Sequence, residues 1–215
     1  MAFTDRTEAG RRLGAALAGY RGREAVVLAL PRGGVPVAAE IAEALDAPLD
    51  LVMVRKIGAP GQPELAMGAV VDGPDPLVVR NEEVIRGLDV DETAFTEACR
   101  RELAEIERRR QDLLGTRHPA EVSERTAIVV DDGIATGATT RAALRAVRKR
   151  GPAWLVLAVP VAPTSTLAEL AGEADDIVCL EDYEPFGAIG MFYSDFRQLS
   201  DRDVIDILAR FSPAE

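Results

Sequence analysis

The stretch VVDDGIATGATTRAAL, Val129 to Leu144, decides how this chain is read. Just upstream, TAIVV is β-branched and apolar, the composition of a buried strand. Downstream, TTRAALRAVRKRG carries apolar Ala143, Leu144 and Val147, basic residues towards its end, and Gly151 as a stop. That is an amphipathic helix with a cationic C-terminus and a C-cap. The quoted residues are therefore a strand end, a tight polar turn and a helix start, with two carboxylates at the turn.

Gly133 and Gly137 let the backbone turn sharply and approach a ligand. Thr136, Thr139 and Thr140 offer hydroxyls, and the first helical N–H groups point back into the loop. Together these make an anion cradle suited to a phosphate monoester. Asp131 and Asp132 do not favour phosphate directly beside them; they suit hydroxyl groups or a hydrated cation. A ribose 5-phosphate satisfies both halves. Neighbouring nucleotide motifs fail. Three residues separate Gly133 from Gly137 and no Lys follows, so this is no Walker loop. G-x-G-x-x-G and G-x-S-x-G are both absent. The single histidine, His118, lies in the polar stretch GTRHPAE and is expected to be solvent-exposed. Triad chemistry and histidine zinc sites gain no support from it.

Outside this stretch, apolar runs alternate with helical patterns. Thr4–Tyr20 is expected to be a helix capped by Thr4 or Asp5, with Leu13 and Leu17 on one face. EAVVLAL (24–30) is a strand, PRGG a turn, and VAAEIAEALDA a helix. LDLVMVRKI (49–57) is expected as one strand, GAPGQPE as a flexible loop, and LAMGAVV and PLVVR as further strands. A charged helix spans 91–114, with Phe95, Cys99, Leu103, Ile106 and Leu113 on its apolar side. AWLVLAVPV and DIVCLE are strands flanking a short helix at 164–171. An aromatic tail ends in a helix with Ser200 as N-cap. Strands that are apolar throughout belong to a parallel sheet covered on both faces. Ligands bind at the carboxyl ends of such strands. PRGG, RKIGAPGQPE and DDGIATGATT should therefore line one edge.

Composition sets outer limits. The 215 residues suit one domain with a small appendage. A hydrophobic content of 47% fits a real core. The net charge of −11 argues against nucleic acid or an anionic membrane as partner. Cys99 and Cys179 form no CxxC motif, no apolar run reaches membrane length, and the start lacks a signal-peptide h-region, so a cytoplasmic protein is expected.

IVVDDGIATGATT closely resembles the phosphoribosyl pyrophosphate motif of type I phosphoribosyltransferases: apolar strand, two acids, then a short Thr-Gly loop. The resemblance is clearest over about 24–180 and fades towards both ends. It implies one domain, residues 1–215, with a parallel twisted sheet flanked by helices. The core would span about 24–180, and a small hood would form from 181–215 with the N-terminal helix. By the resemblance, Asp131 and Asp132 bind ribose hydroxyls, and Ala135, Thr136, Gly137, Ala138 and Thr139 grip the 5-phosphate. PRGG occupies the place of the pyrophosphate loop, making Arg32, Gly33 and Gly34 candidates. A guanidinium and open backbone N–H groups both suit pyrophosphate. RGG alone would equally be a plain strand-to-helix turn; its position supports the ligand role. RKIGAPGQPELAMG matches the family's mobile loop, with Arg55 and Lys56 facing the departing pyrophosphate. Phe186, Phe192, Tyr193 and Phe196 are hood candidates, though simple packing of the tail explains them equally.

The activity so implied is Mg²⁺-dependent transfer of a 5-phosphoribosyl group to a small nitrogenous base, within nucleotide metabolism. Mg²⁺ would be held at Asp131 and Asp132, directly or through water, and a homodimer is a candidate assembly. In the family's 6-oxopurine members an aspartate precedes the Thr-Gly of the loop, where this chain has Ala135. Hypoxanthine, guanine and xanthine are thereby disfavoured. A regulatory module that binds phosphoribosyl pyrophosphate or a nucleotide, and a hydrolase of phosphorylated ribose, are the competing readings. The chain has no evident helix-turn-helix.

Overall fold

The computed structural model describes residues 2–73 and 76–211. Five strands form a wholly parallel sheet in the order β2–β1–β6–β7–β8. They are β1 (Ala25–Ala29), β2 (Leu49–Leu51), β6 (Thr126–Val130), β7 (Trp154–Pro163) and β8 (Asp176–Tyr183). Every residue of β1 and β6 is buried, as their unbroken apolar runs require. Alternate residues feed two cores. Val27, Ala29, Ile128 and Val130 face α1 (Arg6–Ala16), α2 (Gly34–Leu45) and α7 (Asp201–Ala209). Val26, Leu28, Ala127 and Val129 face α5 (Ala138–Lys149) and α6 (Thr164–Leu170). Helices α2 and α5, leaving adjacent strands β1 and β6, thus cover opposite faces. This opens a crevice at the strand ends between them, the switch point where doubly wound sheets bind ligands.

Between β2 and β6 the chain builds a second, antiparallel sheet in the order β3–β4–β5, from β3 (Val54–Ala59), β4 (Gln62–Val71) and β5 (Leu77–Arg80). The short α3 (Glu82–Gly87) and long α4 (Glu92–Leu114) follow. Two expectations are corrected here. LDLVMVRKI is two strands in two sheets, because the chain leaves the parallel edge after Leu51. GAPGQPE is an ordered hairpin rather than a loose loop. Ala59 pairs with Gln62 across Pro60 and Gly61, and Gly61 has φ +72°. Pro then Gly with positive φ is a tight-turn pair. Ile57 and Val70 pack in the core that holds Phe95 and Cys99 of α4, while Val71 joins the core that holds Ala142 of α5.

Arg110 of α4 ties the two sheets together. It reaches Asp72 at 2.7 Å, beyond β4, and Asp50 of β2 at 3.4 Å. Asp50 also accepts from the Leu51 and Ala120 amides. The expected caps hold at two helices: Asp5 caps α1, and Ser200 forms a capping box with Asp203 on α7; Asp91, expected as the first residue of its helix, caps α4. The chain's ends meet, with the Ala2 and Phe3 amides donating to the Phe192 carbonyl and Ser194 N–H to that of Phe3. Residues 212–215 of the expected hood lie outside the described residues.

Candidate functional site

The loop after β6 enters α5 through Gly137, whose φ of +72° no β-branched residue would adopt at low cost. No side chain caps this helix, so its first-turn amides face the loop without a side-chain acceptor. Thr166 of α6 donates to the Ala135 carbonyl at 3.0 Å, and the Ile134 amide donates to Val161 at 2.9 Å. These bonds fix the turn from outside. Ala135, Thr136, Ala138 and Thr139 remain exposed. The result is a rigid, open, amide-lined cup at the positive end of a helix dipole, which can hold an anion.

PRGG follows β1 directly beside it. The Leu30 amide donates to Val130 at 2.9 Å, and the peptide between Pro31 and Arg32 is cis. Both glycines are there for close approach. A Cβ on Gly34 would come within 2.6 Å of the Val130 carbonyl, and one on Gly33 would overlap the Asp132 carboxylate. The two turns are thus in contact.

The acid pair is asymmetric. Asp132 is buried and accepts from Arg6 Nε at 2.7 Å, while its carbonyl accepts from Tyr193 Oη at 2.6 Å. Asp131 is half-buried, and its carboxylate accepts the Asp132 amide at 2.9 Å. Burial first, then the neighbouring charge of Asp132, pushes the Asp131 carboxyl well above the ordinary carboxylate range. Burial raises Asp132 too, with Arg6 opposing it. Burial also raises the Tyr193 hydroxyl, so it stays a neutral donor. Of the two acids at this turn, Asp132 is thus withdrawn from solvent and Asp131 keeps partial exposure.

The phosphoribosyl transferase domain family model matches residues 8–193 of the chain. Rv0571c of Mycobacterium tuberculosis, named as a candidate phosphoribosyl transferase, is 47% identical over 97% of the chain. The chain spans only 46% of that relative's length. The crystal structure of TT1426 from Thermus thermophilus is 40% identical, covers 99% of this chain and 100% of its own, and superposes with a TM-score of 0.84. A Neisseria gonorrhoeae protein solved with bound ppGpp shares the fold alone, at 13% identity and a TM-score of 0.52 over 98% of each chain.

The chain belongs to the phosphoribosyl transferase family. The residues matched to that family's motifs do not all converge. Asp131, Asp132, Gly33 and Gly34 meet at the ends of β1 and β6. Arg55 turns to α4, meeting Glu102 at 2.6 Å, whereas the more exposed Lys56 lines two cavities, one shared with Arg55 and Glu102 and one of about 710 Å³ shared with Thr136, Ala138 and Thr139. Arg32 points towards Asp201 of α7, 3.8 Å away. Of the aromatic tail, Tyr193 packs on Phe3 at 5.4 Å and on Phe196 at 5.0 Å, and Phe186 stacks on Phe192 at 5.0 Å. Ile189 reaches the loop itself, within 2.6 Å of a Cβ placed on Gly133. Arg6 escaped the sequence reading. An arginine in the first turn of a surface helix carries no mark that it will meet a carboxylate 126 positions away. His118 is exposed, as expected. Among the described residues, no cluster of three metal-ligating side chains occurs and no helix is long and apolar enough to cross a membrane.

Proposed function

We propose that this chain transfers a 5-phosphoribosyl group from phosphoribosyl pyrophosphate to a small nitrogenous base, releasing pyrophosphate. The observation that carries this is the contact between two anion-suited turns. The amide cup at Ala135–Thr139 suits the 5-phosphate, PRGG suits pyrophosphate, and Asp131 lies at the turn where ribose hydroxyls would fall. The reaction breaks the anomeric bond to pyrophosphate ahead of forming the bond to nitrogen, so the sugar becomes cation-like. The protein's part is positioning and neutralisation of the leaving group. Arg32 and Lys56 supply the charge; Arg32 would exchange its long contact with Asp201 for the ligand. Asp131 fits Mg²⁺, since that ion takes few protein carboxylates and keeps several waters. When bound with the ligand, it adds positive charge at the pyrophosphate oxygens.

Ala135 disfavours a 6-oxopurine acceptor. It leaves adenine, a pyrimidine or another nitrogen base. The engagement of Arg55 by Glu102 and Glu105 favours a second reading, a module that binds the ligand without turning it over. One protocol separates the two. Calorimetry with phosphoribosyl pyrophosphate and Mg²⁺ is followed by a screen of bases for released pyrophosphate. Loss of a charged hydrogen bond costs about 1.5–3 kcal/mol, so Asp131→Asn should weaken binding at least tenfold. Unchanged affinity in that variant would remove the ribose assignment. Tight binding with no pyrophosphate from any base would favour the module.

A further inference from the structure

The two carboxylates of the acid pair have different surroundings. Asp132 pairs with Arg6 at 2.7 Å, with side chains only 11% and 10% exposed. Arg6 is fixed on two further sides: Nη1 donates to the Arg197 carbonyl at 3.0 Å, and its guanidinium lies 3.8 Å over the Phe196 ring. Asp132 is fixed through its main chain as well, by the Tyr193 hydroxyl at 2.6 Å. The carboxylate also neighbours the Asp131 carboxyl and rests against Gly33, where a Cβ would overlap it. A carboxylate held by a buried guanidinium, on a residue clamped at its carbonyl, has little freedom to turn towards a hydroxyl or a cation. Asp131 is more open and has no such partner among its hydrogen bonds.

We propose that the acid pair is divided. Asp131 serves the ribose and cation, Asp132 is the seat for the pyrophosphate loop at Gly33, and Arg6 is a positioning residue that locks that seat. This rests on the phosphoribosyltransferase reading. Arg6 then acts on the ligand through Asp132 and Gly33 without touching it. Support for the pyrophosphate loop comes from α1 and the aromatic tail, two segments far apart in the chain.

The test uses the full chain, with magnesium pyrophosphate and ribose 5-phosphate as separate calorimetric probes and thermal melting in parallel. Arg6→Gln and Asp132→Asn should weaken pyrophosphate about tenfold and ribose 5-phosphate less than about twofold, while Asp131→Asn should weaken ribose 5-phosphate about tenfold and, through the cation, magnesium pyrophosphate as well. Arg6→Lys keeps the ion pair and should recover most of the pyrophosphate affinity. If Arg6→Gln does not fold, Arg6→Lys still decides, since it loses the bond to Arg197 and should show a small loss confined to pyrophosphate. Equal losses for both probes in the Arg6 variants would overturn the division and make Arg6 structural only. So would an Asp132→Asn that weakens ribose 5-phosphate as much as Asp131→Asn does. Wild-type protein that binds neither probe would overturn the transferase reading itself. Wild-type binding of both with no effect of any Arg6 or Asp132 variant would overturn the division alone.

Discussion

Gly33 shows how much a single missing side chain can carry. Its φ of −59° is ordinary, so conformational freedom is not the reason for glycine. The reason is space: the Asp132 carboxylate occupies the volume a Cβ would need. A flexible neighbour could move aside, but this one is pinned by Arg6 and by Tyr193. Gly33→Ala must therefore displace the PRGG turn. Overpacking of this kind costs about 1–3 kcal/mol. We expect a lowered melting temperature together with a selective loss of pyrophosphate affinity, both measurable on one purified variant. Normal pyrophosphate binding by Gly33→Ala would show that the turn tolerates displacement and that its contact with Asp132 is incidental.

The β3–β4 hairpin is the element whose character differs most from its composition. Gly58, Pro60, Gly61 and Pro63 resemble punctuation in the sequence, yet each fits a pairing demand. Pro60 and Gly61 make the turn, and Gly58 has room only for hydrogen, with a Cβ falling 2.6 Å from the Pro63 carbonyl. The ladder shifts register twice, between Ile57 and Gly58 and between Gly58 and Ala59, so the tip is less regularly bonded than the base. Irregular, exposed hydrogen bonding lowers the free energy of local opening. Hydrogen exchange should therefore be faster at 58–63 than at 54–56 and 69–71, and slow at the tip when phosphoribosyl pyrophosphate and Mg²⁺ are added. A tip already as protected as the base, and unchanged on saturation, would rule out closure by this hairpin. With closure, Lys56→Ala should lower turnover more than ground-state affinity, because its contact forms mainly on closing.

Across the molecule, the two sheets share a buried charged joint. Arg110 stands between Asp50 and Asp72, whose side chains are 2% and 10% exposed. Burial holds the Asp72 carboxyl above its usual range even with Arg110 beside it. Removing the guanidinium leaves two buried carboxylates without their cation, and breaking such a pair costs about 3–5 kcal/mol. Arg110→Ala should accordingly lower the melting temperature by roughly 6–20 °C, at about 2–4 °C per kcal/mol for a chain of this size. A shift below about 2 °C would mean water satisfies both acids. The parallel sheet, its helices and the strand–acid pair–loop–helix motif were legible beforehand, because burial on both faces and helix signals are local patterns. The caps at Asp5 and Ser200 were legible for the same reason. The antiparallel sheet was not, since an apolar run does not say which sheet it will join. Nor were the partners of the charged residues. Sheet packing tied Arg55 to α4 and left Lys56 at the rim of the phosphate-loop cavity, and the packing of α1 and the aromatic tail gave Asp132 its partners Arg6 and Tyr193. Contacts between positions far apart in the chain depend on how whole elements pack, and no local pattern records them.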